Sequence, residues 1–203
     1  SQRIGGYINR GAVFNGSSST IILPNSLGTA VGNNNFSVSF WVYVNDASND
    51  EVYVNISNPY NFYVRKFTSG NIYIELGGVN GFDTGVSLTT GWHHIAVTKS
   101  SSAGLVLYVD NSANTTSSKT ANLGSGSFDV SLGGYNGGTL PLDGKLDQVR
   151  IFNKVLSSSE VTTLYGETHA STTKSTTDIF DDNSGVALYQ FEGNANDTGG
   201  VSG

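Results

Sequence analysis

The strongest pattern along the chain is an alternation of side chains between Phe36 and Val44. In this segment, FSVSFWVYV, every second residue is Phe or Val, and Trp41 and Tyr43 fall on the other face. A period of two predicts a β-strand. Because both faces carry large apolar side chains, we expect this strand to be central in its sheet and covered on both sides.

Shorter segments with strand character recur along the chain, separated by turns rich in Gly, Asn and Ser. Two are expected within residues 11–23, around the turn pair Asn15-Gly16. Residues 77–90 show a looser pattern. Short strands with frequent turns are typical of a sandwich or jelly roll, so we predict an all-β fold with two antiparallel sheets. The other predicted strands are Glu51–Ile56, Phe62–Phe67, Asn71–Leu76, Trp92–Lys99, Gly104–Asp110, Phe128–Leu132 and Leu146–Asn153.

One short helix is predicted after the last of these strands. Ser157 and Glu160 have the spacing of a capping box, in which each side chain bonds the other residue's backbone. Val161 and Leu164 supply a buried stripe, and Gly166 suits the position just after the helix.

The chain ends with a strand that is separated from all the others. Residues 168–185 are dominated by Ser and Thr and are predicted to be a linker. In residues 186–203, Tyr189 and Phe191 share one face with Ala187, and Val186 and Leu188 share the other. A strand that is apolar on both faces needs pairing partners and cover, so its docking place is the central structural question.

Composition excludes several classes of protein. The formal charge is −6, with 10 basic and 16 acidic residues, whereas nucleic-acid binding depends on clustered Lys and Arg. No polybasic patch suits an anionic membrane, and no apolar run approaches the roughly 18 residues of a membrane span. Cysteine and methionine are absent. We therefore expect no disulfide, and a chain that was processed or belongs to a longer polypeptide.

Four phrases, in this order, resemble laminin-G-like, concanavalin A-like jelly-roll domains. The resemblance spans most of residues 11–166 and implies a two-sheet jelly roll. In that family the first strand commonly looks like VALYQFEGNAND, which here lies at the end of the chain. The phrases are FSVSFWVYV at 36–44, GWHHIAVTK at 91–99, LVLYVDN at 105–111 and LDGKLDQVRIFNKVLSSSEV at 142–161.

The resemblance implies a jelly roll in residues 1–167 that lacks its first strand, and a motif in residues 186–203 that is donated to the next repeat or subunit. The sequence therefore predicts a non-catalytic fibre subunit of an extracellular or virion surface, such as a phage fibre, that assembles head to tail. The alternative is a carbohydrate-binding, lectin-like module of a secreted or cell-surface protein. The predicted assembly residues are Val186, Leu188, Tyr189 and Phe191.

Candidate sugar-binding residues are aromatic side chains in loops, next to amides that can bond hydroxyl groups. Tyr60, near Pro59, and the pair Tyr135-Asn136 in a glycine-rich loop fit this description best. Phe62 and Tyr63 alternate, so at least one of them is expected in the core.

A structural calcium ion is the predicted cofactor. Calcium takes several oxygen ligands, and Glu192, Asn194 and Asp197 lie close together in the terminal turn. The resemblance places such an ion between this turn and the last strand, which carries Asp147. Many family members have a second acid where this chain has Gln148. The alternative is that these residues form Asx turns without a metal.

Catalysis is not predicted. No Ser/His/Asp arrangement stands out, and no strand carries the paired carboxylates of a retaining glycosidase. His93 and His94 are adjacent, so a strand directs them to opposite faces, where they cannot share one metal.

Overall fold

A computed structural model describes residues 5–31, 35–57, 62–78, 81–123, 128–167 and 177–192. In these residues it contains thirteen strands and two short helices. In chain order they are β1 (Ala12–Asn15), β2 (Ile21–Leu23), α1 (Ser26–Val31), β3 (Phe36–Val44), β4 (Glu51–Ser57), β5 (Phe62–Lys66), β6 (Asn71–Leu76), β7 (Phe82–Ser87), β8 (Gly91–Ser100), β9 (Gly104–Val109), β10 (Ser112–Ser117), β11 (Asp129–Leu132), β12 (Asp143–Phe152), α2 (Ser158–Tyr165) and β13 (Gly185–Tyr189).

The strands form two antiparallel sheets, which confirms the predicted sandwich. Sheet A has the order β1-β12-β3-β8-β9-β10, with β13 also paired to β12. Sheet B has the order β2-β11-β4-β5-β6-β7. The two strands predicted around Asn15-Gly16 do not form a hairpin, because β1 joins sheet A and β2 joins sheet B.

The hydrophobic core lies between the two sheets. β3 pairs with β12 on one side and β8 on the other, so it is central as predicted. Its Phe36 side chain is fully buried and meets Phe62 of β5 edge to face at 5.0 Å between ring centroids. Phe62 is therefore the core member of the Phe62–Tyr63 pair.

The terminal strand occupies the same edge of sheet A as β1. β13 pairs with residues 149–152 of β12, and β1 pairs with residues 143–146, so the two strands lie end to end. Ala187, Leu188, Tyr189 and Phe191 are each at most 2% exposed. The strand that sequence alone left without a partner is thus received by the sheet of its own chain, and its donation to a neighbour remains a prediction.

The predicted helix is confirmed together with its capping box. The Ser157 side chain accepts a hydrogen bond from the Glu160 backbone N–H, and the Glu160 carboxylate accepts one from the Ser157 N–H at 2.8 Å. Gly166 ends the helix with φ −80°, so it does not use the left-handed conformation. α1 was not predicted.

The helices leave one sheet face uncovered. α2 packs on the outer face of sheet A, where Val161 and Leu164 join a second apolar cluster with Ala96, Tyr108 and Phe152. α1 packs into the main core near β11 and β13. Within the described ranges, the outer face of sheet B therefore carries no helix. Neither of the helices described is long and apolar enough to cross a membrane.

Candidate functional site

The outer face of sheet B presents aromatic and charged side chains in cross-strand rows. Because Val64 and Ile74 point into the core, their neighbours on β5 and β6 point outward. One row pairs Tyr63 with Glu75, and the next pairs Arg65 with Tyr73. Side chains opposite each other on one face of a sheet are in contact distance, so these rows form a continuous surface.

Aromatic rings form most of this surface. Tyr63 and Tyr73 stack with centroids 6.0 Å apart, and Tyr135 meets the Tyr63 ring edge to face at 5.4 Å. Phe67 lies 4.7 Å from Tyr73, and the Arg65 guanidinium lies 4.7 Å from the Phe67 ring centroid. We call Tyr63, Arg65, Phe67, Tyr73 and Tyr135 the aromatic face.

Arg65 is held in place by a carboxylate. Its Nε and Nη2 atoms both donate to Asp50, at 2.5 Å between Nε and Oδ1, in a two-pronged ion pair. The hydrogen bond that Arg65 donates to Asp50 raises the pKa of Arg65 above its usual value. Such bidentate pairs are strong and directional, so the guanidinium is fixed against the rings.

A second carboxylate joins the two stacked tyrosines. Tyr63 Oη and Tyr73 Oη both donate to Glu75 Oε2, at 3.4 and 3.2 Å. Burial raises the pKa of Tyr73 to about 12, and it also raises that of Tyr63. Both hydroxyl groups therefore stay protonated at physiological pH. A Cβ atom at Gly81 would lie 1.7 Å from Tyr73 Oη, so only glycine fits beside this group.

The structure places two of the predicted sugar-binding residues at this surface. Tyr135 is half-buried and contacts Tyr63, and Asn136 next to it is exposed. Their loop is tight: the Gly138 N–H donates to the Tyr135 carbonyl at 2.9 Å. Tyr60 lies outside the described residues. Sequence reasoning missed Asp50, Arg65, Phe67 and Tyr73, which the β4–β6 register brings together.

The predicted calcium ligands that the structure describes lie at the junction of β13 and β1. Asp147 is fully buried in β12, where its Oδ2 accepts from the Ile8 N–H and its Oδ1 from the Gln148 N–H, both at 2.8 Å. Glu192 Oε1 accepts from the Arg10 N–H at 3.4 Å. The junction therefore draws residues from both ends of the described chain.

The carboxyl groups of Asp147 and Glu192 interact electrostatically at this junction. Burial, together with the charge of Glu192, raises the pKa of Asp147 to about 8. Neither carboxylate forms a salt bridge within the described part of the chain. The Asp147 carboxyl therefore holds a proton at pH 7, and an oxygen-bound cation would take the place of that proton. No group of three or more His, Cys, Asp or Glu side chains is found in the same residues, and Asn194 and Asp197 lie outside them.

The adjacent histidines face opposite ways, as predicted, and do not meet. His93 Nδ1 lies 2.8 Å from Asp110 Oδ2, whereas His94 is buried and its Nε2 lies 2.8 Å from Ser39 Oγ. Each histidine therefore has a side-chain partner inside the protein, which is Asp110 after β9 for His93 and Ser39 on β3 for His94.

The topology of the two antiparallel sheets is that of a jelly-roll sandwich. The chain belongs to the Laminin_G_3 family of the concanavalin A-like lectin/glucanases superfamily, whose model matches residues 15–162. No curated protein matches the chain in sequence.

Solved structures with the same fold include carbohydrate-binding domains. Domain 4 of AbnA, a GH43 extracellular arabinanase from Geobacillus stearothermophilus in complex with arabinotriose, is similar with a TM-score of 0.66 and 24% identity over 80% of each chain. The CBM40 of the Ruminococcus gnavus IT-sialidase, bound to α2,3-sialyllactose, has a TM-score of 0.64 and 12% identity over 80% of this chain and 100% of that one. A heptameric SAP-like pentraxin from Limulus polyphemus has a TM-score of 0.59 and 14% identity, covering 76% of this chain and 80% of the other. At these identities the likeness shows the fold.

Proposed function

We propose that this chain is a carbohydrate-binding module that holds a saccharide on the outer face of sheet B. The observation that carries the proposal is the aromatic face, which combines stacked rings with a fixed guanidinium and carboxylates on a surface that no described helix covers. The glycan-bound relatives of the same fold support this reading over the fibre subunit.

The chemistry of this face suits a sugar ring. Tyrosine rings offer flat apolar surface for the C–H faces of a pyranose or furanose, and their hydroxyl groups remain polar. Arg65 supplies fixed donors and Asp50 supplies acceptors beside the rings, whereas Glu75 is 6% exposed and accepts from the two tyrosine hydroxyl groups. A few placed polar groups within an apolar surface are typical of small-ligand sites.

The proposed role is binding without catalysis, in a secreted or cell-surface setting. The arabinanase domain and the CBM40 are modules of extracellular or glycan-processing enzymes by their descriptions, and a similar placement is proposed for this chain. A saccharide that is recovered chemically unchanged after prolonged incubation with the protein would agree with this role. Shortened products would contradict it.

Titration of neutral and acidic oligosaccharides into the protein, followed by NMR, tests the proposal. We expect binding to weaken by about tenfold or more in Tyr73→Ala, because truncation of an aromatic hot spot costs about 2 kcal/mol or more and about 1.4 kcal/mol is tenfold in affinity. Tyr135→Ala should weaken it similarly.

Tyr43→Ala is the matched control, because Tyr43 is a half-buried tyrosine on β3 of sheet A. We expect it to bind as the wild type does. Equal loss in Tyr43→Ala and Tyr73→Ala would place the binding surface elsewhere, and a protein that binds no saccharide would overturn the proposal.

We further propose that a structural calcium ion binds at the junction of β1 and β13. Asp147 and Glu192 would contribute carboxylate oxygens, and the segment with Asn194 and Asp197 would contribute the remainder. The burial of Asp147 near Glu192, with no salt bridge to either carboxylate in the described residues, supports this. The ion would join the two ends of the described chain and has no proposed part in sugar binding.

Assembly through the terminal strand is retained as a separate proposal. β13 pairs with β12 at an edge that it shares with β1, and the same strand from another copy could take that place.

A further inference from the structure

We propose that the aromatic face selects uncharged saccharides and discriminates against acidic ones, an inference that rests on the proposed function. The selection follows from the charges of the side chains around the rings.

The one cation on this face is already compensated. Among the described residues of sheet B, the basic side chains are Arg65 and Lys66. Arg65 donates through two nitrogens to Asp50. Lys66 points inward, is fully buried and lies 3.6 Å from Glu51. Asp50 therefore offsets much of the attraction that the guanidinium would offer a sugar carboxylate or sulfate.

Negative charge remains beyond that pair. Glu75 lies beneath the two tyrosine hydroxyl groups, and Asp83 stands opposite Tyr73 on β7, where it is exposed. Asp129 is also exposed, on β11 of the same sheet. An acidic ligand on this sheet would therefore approach carboxylates, and like charges repel more strongly the closer they lie.

The other basic side chains on the described strands belong to sheet A. Lys99 lies on β8, and Lys145 and Arg150 lie on β12. The side chains of sheet B therefore give it a negative charge, which has the same sign as the overall charge of −6.

Hydrogen-bond chemistry favours the same class of ligand. The carboxylates of Asp50, which is half-buried, and of Asp83, which is exposed, are acceptors when ionised. A neutral sugar supplies hydroxyl donors to them, whereas an ionised carboxylate or sulfate supplies acceptors alone. Neutral pentose and hexose oligosaccharides thus complement the face in both charge and hydrogen bonding.

The test compares matched probes with the full chain by isothermal titration calorimetry at low salt. The probes are arabinotriose, xylotriose, galactotriose and lactose, and their acidic counterparts are trigalacturonate and 3′-sialyllactose. We expect at least one neutral probe to bind, and the acidic counterparts to bind at least about tenfold more weakly.

Two variants test the cause. Asp50→Asn removes the charge that compensates Arg65, and Asp83→Asn removes an exposed charge with little risk to folding. Each substitution should reduce severalfold the ratio between the affinities for neutral and for acidic probes. Asp182→Asn is the control, because it changes the net charge equally but lies beside Lys154, which follows β12 of sheet A. The affinity ratio between neutral and acidic probes should not change in this variant.

An acidic probe that binds the wild type as tightly as its neutral counterpart would overturn the inference and leave the proposed function standing. Unchanged discrimination in both Asp50→Asn and Asp83→Asn would also overturn it. If no probe binds, the proposed function and the inference fall together.

Discussion

At the scale of single residues, His93 and His94 show how one strand gives neighbouring side chains opposite electrostatics. The hydrogen bond to Asp110 raises the pKa of His93 above its usual value of 6.5. Burial lowers the pKa of His94 to about 4. His93 therefore favours the folded state when protonated, whereas His94 favours it when neutral.

In His93→Gln, the free energy of unfolding should decrease less than in the wild type as the pH rises above 6.5. Because the folded pKa of His93 is raised, its contribution is complete below the unfolded pKa and disappears as the pH rises through the folded value. We expect urea-unfolding midpoints between pH 6.5 and 8.5 to fall less steeply in the variant. Asp110→Asn should flatten the curve in the same way. Parallel curves for both variants and the wild type would contradict this account.

The residues of the candidate site were only partly accessible from sequence. Tyr135 and Asn136 could be predicted because a glycine-rich loop presents them. Tyr73 and Arg65 gave no such signal, since each lies within an ordinary strand. Their meeting depends on the β5–β6 register, which local sequence does not specify.

At the scale of elements, β13 is held by side-chain burial as well as by pairing. Tyr189 is 2% exposed and lies opposite Val149 in the main core, and Phe191 is also buried there. Burial of large apolar side chains supplies about 1.5–3 kcal/mol each. The strand is therefore integral to whichever sandwich receives it.

Tyr189→Ala separates docking within one chain from exchange between chains. Loss of a buried aromatic side chain commonly costs about 3–5 kcal/mol. With β13 docked in its own sheet, we expect a monomer in light scattering for both the wild type and the variant, with a lower Tm for the variant. A wild-type polymer that the substitution converts to monomers would instead support strand donation. Val186→Ala, at a half-buried position of the same strand, is the control.

The elements with strong local signals were predicted, and the polar or very short ones were not. The alternation in β3 and the capping box of α2 each specify their structure within a few residues. β10, SANTTS, is an edge strand without apolar alternation. α1 contains Gly28, where a Cβ atom would lie 2.2 Å from the Phe128 side chain. A tertiary contact therefore determines this helix.

At the scale of the whole molecule, the two sheets have divided tasks. Sheet A carries α2 on its outside and both ends of the described chain at one edge. Sheet B carries the aromatic and acidic side chains on its outer face. The four short sequence phrases were enough to predict the jelly roll. They did not predict the different roles of the two sheets, because these depend on which sheet face the helix α2 covers.

Calcium should stabilise the whole fold, because the proposed site joins β12 to residues from both ends. At a hundredfold excess over its Kd, a ligand of the folded state adds about 2.7 kcal/mol, which corresponds to a Tm increase of about 5–10 °C in a domain of this size. Thermal unfolding with calcium and with EDTA measures this difference. Glu192→Gln should reduce the response, and magnesium should replace calcium poorly. A Tm that EDTA leaves unchanged would remove the proposal.

β13 and β1 lie end to end along β12, although they are far apart in the sequence. The Arg10 N–H lies 3.4 Å from the Glu192 carboxylate, so a short peptide could bridge the two sides of the junction. A rearranged gene that opens instead at the exposed turn of residues 101–103, between β8 and β9, would encode the same sandwich with one uninterrupted edge. Such a protein would present the same aromatic face, with β13 and β1 consecutive in its sequence.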